Sequence, residues 1–271
     1  MSAAFGTDAP APGSCARPHG PDEGALFRYL LRLGDLSLVL GQRLGEWLGH
    51  SPALEEDLGL ANIALDLIGQ ARLLLSYAGE AEGRGRGEDE LAFLREHREY
   101  RNPILAEQPN GDFGCTIVRQ VLIDAYQLEL YERLETSSDP RLAAIAAKSV
   151  KEIRYHLRYS GGWLVRLGDG TEESHARVRS ALDALWPYTA ELFAEDTLDR
   201  MMAEHGVAPR LAEVHAGWLR RLDPILAEAT LERPRDRPYS WHGKRGEHSE
   251  HLGYLLAEMQ YLQRAYPGAR W

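Results

Sequence analysis

Four carboxylates stand out because each sits near an apolar stripe of a different helical segment: Glu46, Asp66, Asp124 and Glu152, with His156 one turn beyond the last. One carboxylate from each of four helices is the raw arrangement of a carboxylate-bridged dinuclear iron site, in which two helices give Glu and two give Glu-x-x-His. The spacing must be three, because both ligands reach the same metal pair from one helix face. Asp66 is followed three residues later by Gly69, and Glu152 by Tyr155, which leaves His156 one residue out of register. Two metal ions ask for about six protein ligands including imidazoles, so the set reads as vestigial, with no metal assigned to this chain. Three readings stay open: a remnant turned polar network, ordinary solvated positions, or a working metal centre. Other polar residues share these faces. Asp35 and Gln42 precede Glu46, Asn62 and Gln70 flank Asp66, Thr116 and Gln120 precede Asp124, and Ser149 precedes Glu152. Lys148 and Lys151, with Arg43 or Arg119 from other helices, are the candidate neutralising cations.

The elements that must carry these residues follow from periodicity. Apolar residues recur at spacings of three and four from Glu23 to Leu48, predicting a long first helix. Ser51-Pro52 offers a cap and a first-turn proline for a second helix ending near Ala78, before the glycine-rich AGEAEGRGRGED. A short helix is expected over 88–97 and irregular chain over 102–114. Asp112 caps a third helix ending at Leu134, and Pro140 opens a fourth that ends at Leu167. Amphipathic segments follow near 172–194, 196–206, 208–229 and 249–265, with no period-two strand. Four long helices joined as two hairpins by a crossover predict an all-α, ferritin-like four-helix bundle with additional C-terminal helices.

Composition narrows the function. The 271 residues carry 41 acidic and 31 basic side chains, a net charge of −10, which opposes nucleic acid as a partner. Cys15 and Cys115 lie 100 positions apart and draw neither a disulfide framework nor a Cys-x-x-Cys site, which fits a cytoplasmic protein. Residues 1–22 lack a basic start and an apolar run and read as a disordered tail ahead of a single domain over 23–271. The apolar stretch Leu58 to Ala78 contains Asn62, Asp66, Gln70 and Arg72, so no membrane span is expected. His242, Glu247, His248 and His251 fall within ten residues, yet no cysteine joins them and helix-start histidines more often cap or pack than bind zinc. Arg98, Arg101, Arg119, Arg154 and Arg158 could meet an anion such as a CoA phosphate, against a solvated face as the default. Neither a nucleotide-binding glycine motif nor a Gly-x-Ser-x-Gly elbow is present.

Long strings carry a more specific signal. LGDLSLVLGQRLGEWLGHSPALEEDLGLANIALDLIGQARLLLSYAGE, PNGDFGCTIVRQVLIDAYQ, KEIRYHLRYSGGWLVRLGDGTEES, ALWPYTAELF and GYLLAEMQYLQRAYPGARW closely resemble the PaaC-type subunits of the phenylacetyl-CoA epoxidase complex, over about 24–271. The resemblance implies a ferritin-like bundle that pairs with a PaaA-type catalytic homologue carrying the di-iron centre and binding phenylacetyl-CoA. Further epoxidase subunits and a separate reductase using NADPH, FAD and an Fe–S centre are implied as well. By this likeness the chain is a structural subunit without cofactor or catalytic residue, homodimeric when alone at most. The alternative is a di-metal oxidase or metal-storage protein active by itself, with Glu46, Asp66, Asp124, Glu152 and His156 as ligands.

Overall fold

The computed structural model describes residues 23–237 and 242–269. The tail expected over 1–22 lies outside them. Eleven α-helices and two 3₁₀ turns make up these residues, with no strand beyond the single His242–Glu247 bridge. The architecture is the all-α, ferritin-like one expected.

Helix α1 (Glu23–Gly45) and α2 (Leu54–Glu82) form the first hairpin; α5 (Phe113–Leu134) and α6 (Pro140–Gly168) form the second. The crossover between them holds α3 (Glu88–Phe93) and a one-turn α4 (Ile104–Glu107). Helices α7 (Glu172–Phe193) and α9 (Leu211–Glu228) pack on α5 and α6, while α8 (Thr197–Glu204) and α10 (Glu250–Met259) reach α1; α11 (Tyr261–Ala265) ends the series. One continuous core of leucine, isoleucine and valine side chains, with Trp186 and Trp218, lies among them.

Helix ends depart from expectation at two places. The first helix stops at Gly45, three residues early, because 46–50 close as turns in which the amides of Trp47 and Leu48 bond the carbonyls three residues back. The second begins after Ala53 rather than Ser51, and runs into the glycine-rich segment as far as Glu82, where the left-handed backbone of Gly83 (φ 69°) closes it. Burial of Ala78 and Gly79 against the crossover holds that extra turn, with Arg86 bonding Glu82. The remaining expected helices lie within a few residues of their predicted bounds, the stretch 102–114 holds the one-turn α4 where irregular chain was expected, α5 carries the expected cap, Asp112, and α6 is capped by Asp139.

The crossover is fastened by buried charge. The Arg95 guanidinium pairs both carboxylate oxygens of Asp35, which also accepts the Arg101 amide at 2.8 Å. Arg95 stacks on the Tyr100 ring, its guanidinium carbon 4.3 Å from the centroid. Asp35 therefore belongs to this fastening rather than to a metal-type cluster. Breaking one side of so deeply buried a pair characteristically costs about 3–5 kcal/mol.

Candidate functional site

Three helices bring the inner polar residues together. Asp66 and Gln70, one turn apart on α2, meet Glu152 and His156, one turn apart on α6. His156 is fully buried, and its Nε2 lies 3.1 Å from Asp66 Oδ2, whose side chain is 39% exposed. Gln70 Nε2 donates to Glu152 Oε2 at 3.0 Å. From α5, Asp124 is fully buried and accepts from Ser160 Oγ at 2.7 Å and from Gln120 Nε2 at 2.9 Å. Burial pushes the Asp124 carboxyl up to about 6, opposed by the His156 imidazole and the two donors. Four of the five expected residues thus line one seam between α2, α5 and α6.

Glu46 is elsewhere. It lies past the end of α1, its side chain 36% exposed, bonded to Arg43 at 2.6 Å and to Asn110 at 3.0 Å. Glu46 was expected on the first helix, which stops one residue before it, at Gly45. Lys148 and Lys151 are exposed and do not act on the seam as cations, and Arg119 turns to Gln108 O and Asn110 Oδ1. Burial and the neighbouring Arg43 push the Arg119 guanidinium down to about 10. Histidine, glutamine and serine, not lysine or arginine, answer the seam carboxylates. Ser149 returns its hydroxyl to Ile145 O, and Thr116 accepts from Trp47 Nε1.

The donor set does not fit a dinuclear iron centre. Each seam carboxylate already accepts from a protein donor or faces an imidazole, and Glu46, the carboxylate expected from the first helix, lies past that helix's end. The buried atoms left over around these residues are His156 Nδ1, the Tyr131 hydroxyl and the amide oxygens of Gln70, Gln120 and Gln127, which are neutral and do not replace bridging carboxylates. Among the described residues, no three His, Cys, Asp or Glu side chains are grouped as a metal ion would require. What the seam can do is hold protons and fix helix register.

Comparison with known proteins gives the family. The profile of a family described as "Phenylacetic acid catabolic protein" matches residues 17–271. The chain belongs to that family. A protein of Escherichia coli, named as one of the subunits of 1,2-phenylacetyl-CoA epoxidase, is 54% identical over 246 residues, covering 91% of this chain and 99% of the relative. The family match begins inside the segment read as a tail, seven residues ahead of the resemblance seen in the strings.

Within this family member, two buried carboxylates that spacing did not single out do structural work. Glu107 accepts from Asn102 Nδ2 and the Ser249 amide and meets His248 Nδ1 at 2.9 Å; its carbonyl takes Arg43. Glu191 takes the amides of Ile104 and Lys244. The histidine-rich segment weighed for zinc therefore pins the crossover: the His248 imidazole is buried between Glu107 and Tyr100 O, and His251 gives its carbonyl to Arg43. The only sequence signal was position, since Glu107 follows Ile104 and Leu105 between Pro103 and Pro109. Arg154 pairs with Glu132 and Arg158 lies over Tyr155, so the arginines named for an anion are dispersed.

Proposed function

We propose that this chain is a structural, non-catalytic subunit of a phenylacetyl-CoA epoxidase, active in phenylacetate breakdown in the cytoplasm. It stabilises and positions a homologous PaaA-type subunit that holds the di-iron centre, while a reductase with NADPH, FAD and an Fe–S centre supplies electrons. The observation that carries this reading is the seam. It occupies the interior where a ferritin-like oxidase assembles its ligands, yet its carboxylates are taken up by Ser160, Gln120, Gln70 and His156. An identity of 54% to a protein named as an epoxidase subunit supports the assignment to such a complex. Bundle packing survives without metal because polar partners replace it. The alternative, a self-sufficient di-metal oxidase or storage protein, would need Glu46 in the seam, and Glu46 pairs with Arg43 outside it.

Elemental analysis of the chain purified alone, and after co-expression with its catalytic homologue, tests this. We expect iron only in the co-eluting complex, in proportion to the homologue. About two irons per isolated chain would overturn the reading.

A further inference from the structure

A second cluster of charge lies apart from the seam, where α1, the crossover, the start of α8 and the turn Gly243–Arg245 meet. A pocket of about 380 Å³ opens there, its charged lining made of Arg28, Arg32, Arg101, Asp196, Lys244 and Arg245. That volume falls within the range of small-molecule sites, about 300–1,000 Å³. Five cations around one lining carboxylate are a local excess in a chain whose net charge is −10.

Two of the five are already answered. Arg32 pairs with Asp196 at 2.5 Å and with Asp199 at 2.9 Å, while Lys244 Nζ meets Asp199 at 3.2 Å and the Ala194 carbonyl at 2.7 Å. Two bases and two acids make this quartet neutral, and it is largely buried. Arg32 Nε is buried and has no acceptor among the described residues. Arg28, Arg101 and Arg245 have no carboxylate partner among those residues either, and Arg28 and Arg245 are exposed. Of the acids nearby in sequence, Glu99 accepts the Glu96 amide, Glu195 pairs with Arg210, and Glu247 makes no ion pair with a lining cation among the described residues. Arg101 is half-buried and gives Nη1 to the carbonyls of Arg98 and Tyr100, at 2.7 Å each, while Asp35 is taken by Arg95. Burial, with the Arg95 and Arg32 charges, pushes the Arg101 guanidinium below its ordinary value against the pull of Asp35.

The backbone holds this arrangement. Gly246 has a left-handed conformation (φ 88°), and a Cβ there would stand 2.2 Å from Arg98 O and 2.7 Å from Arg101 Nη1. A Cβ on Gly243 would stand 2.4 Å from Asn102 O, and the Lys244 amide donates to Glu191 at 2.9 Å. The turn is thus seated on the crossover with Lys244 and Arg245 at the pocket, and a site built in advance loses less freedom on binding.

We infer that this pocket binds a small phosphate-bearing ligand, a phosphate monoester or a diphosphate, through Arg28, Arg101 and Arg245. A phosphate group carries about two negative charges to set against the unpaired cations, and guanidinium forks match its oxygens bidentately.

The test titrates the full chain calorimetrically with inorganic phosphate, glycerol 3-phosphate and pyrophosphate at constant ionic strength, so that screening stays fixed. Saturable binding of one ligand per chain is expected, with a dissociation constant of about 1 mM or tighter. Arg28→Gln and Arg245→Gln should each weaken it about fivefold. Both side chains are exposed, so thermal melts of the variants should match wild type. The control pair Arg158→Gln with Arg179→Gln, exposed elsewhere, should stay within about twofold of wild type. Tighter binding of glycerol 3-phosphate than of pyrophosphate supports the site and assigns a monoester; the reverse supports it and assigns a diphosphate. No saturable binding of any of the three overturns the inference. So does an equal loss in the control pair, which makes net charge the cause, or succinate binding as tightly as phosphate, which makes the ligand a carboxylate. Binding seen only after residues 1–22 are removed overturns it too, since the chain's own acidic side chains would then answer the cations.

Discussion

Asp124 carries the electrostatic cost of the seam. In an unfolded chain its carboxyl titrates near 3.9, whereas burial raises it to about 6 in the bundle, against the His156 imidazole and the Ser160 and Gln120 donors. Between those values the folded protein holds the extra proton, so this group's stabilising contribution is complete below about pH 4 and is lost as pH rises through 6. Asparagine can keep Ser160 as a donor without becoming charged. Urea denaturation should therefore show Asp124→Asn gaining on wild type by up to about 3 kcal/mol between pH 4 and 7. A difference that stays constant with pH would show that the carboxyl ionises as freely in the bundle as in water. At this scale Asp66, Asp124, Glu152 and His156 were legible because a 3.6-residue period puts them on inner stripes. Glu107 and Glu191 were not, since their partners come from segments up to 142 residues away, and Glu46 was misplaced by a helix end.

Helix ends show why some boundaries read clearly and others did not. Asp139 Oδ1 accepts the amides of Arg141 and Leu142, and its other oxygen accepts the Tyr77 hydroxyl at 2.6 Å. Cap and proline are local chemistry, visible in Ser-Ser-Asp-Pro. Loss of an aspartate cap costs about 0.5–2 kcal/mol, and here Tyr77 also loses its acceptor, tying α2 to the start of α6. Asp139→Ala should lower the melting temperature by about 4–8 °C, taking about 2 kcal/mol at 2–4 °C each. Asp112→Ala, which frees the single amide of Cys115, should fall below that. Equal, negligible shifts in a calorimetric scan would show that tertiary packing alone holds these ends. The end of α2 was illegible for the opposite reason. Glycines at 79 and 83 predict a stop, but packing of Gly79 beneath the Arg86 carbonyl, a long-range event, prolongs the helix to Glu82.

For the whole molecule, the separation of folding from assembly is what the seam and the exposed leucines of α2 together predict. The seam carboxylates are met by the chain's own donors and by His156, and we expect the bundle to fold without metal or partner. Leu58 and Leu65 of α2 stay outside the core, and a partner adds stability only by binding the folded form. A partner at one hundred times its dissociation constant stabilises by about 2.7 kcal/mol, and for a chain of this size that raises the melting temperature by roughly 5–10 °C. Calorimetry of the chain alone should give one cooperative transition, unchanged by iron. Adding the catalytic homologue should move it upward with homologue concentration. An isolated chain whose transition rises with ferrous iron would place the stabilising ligand inside the seam instead, and Asp124, with Asp66 and His156, would then be answering a metal rather than Ser160 and Gln120.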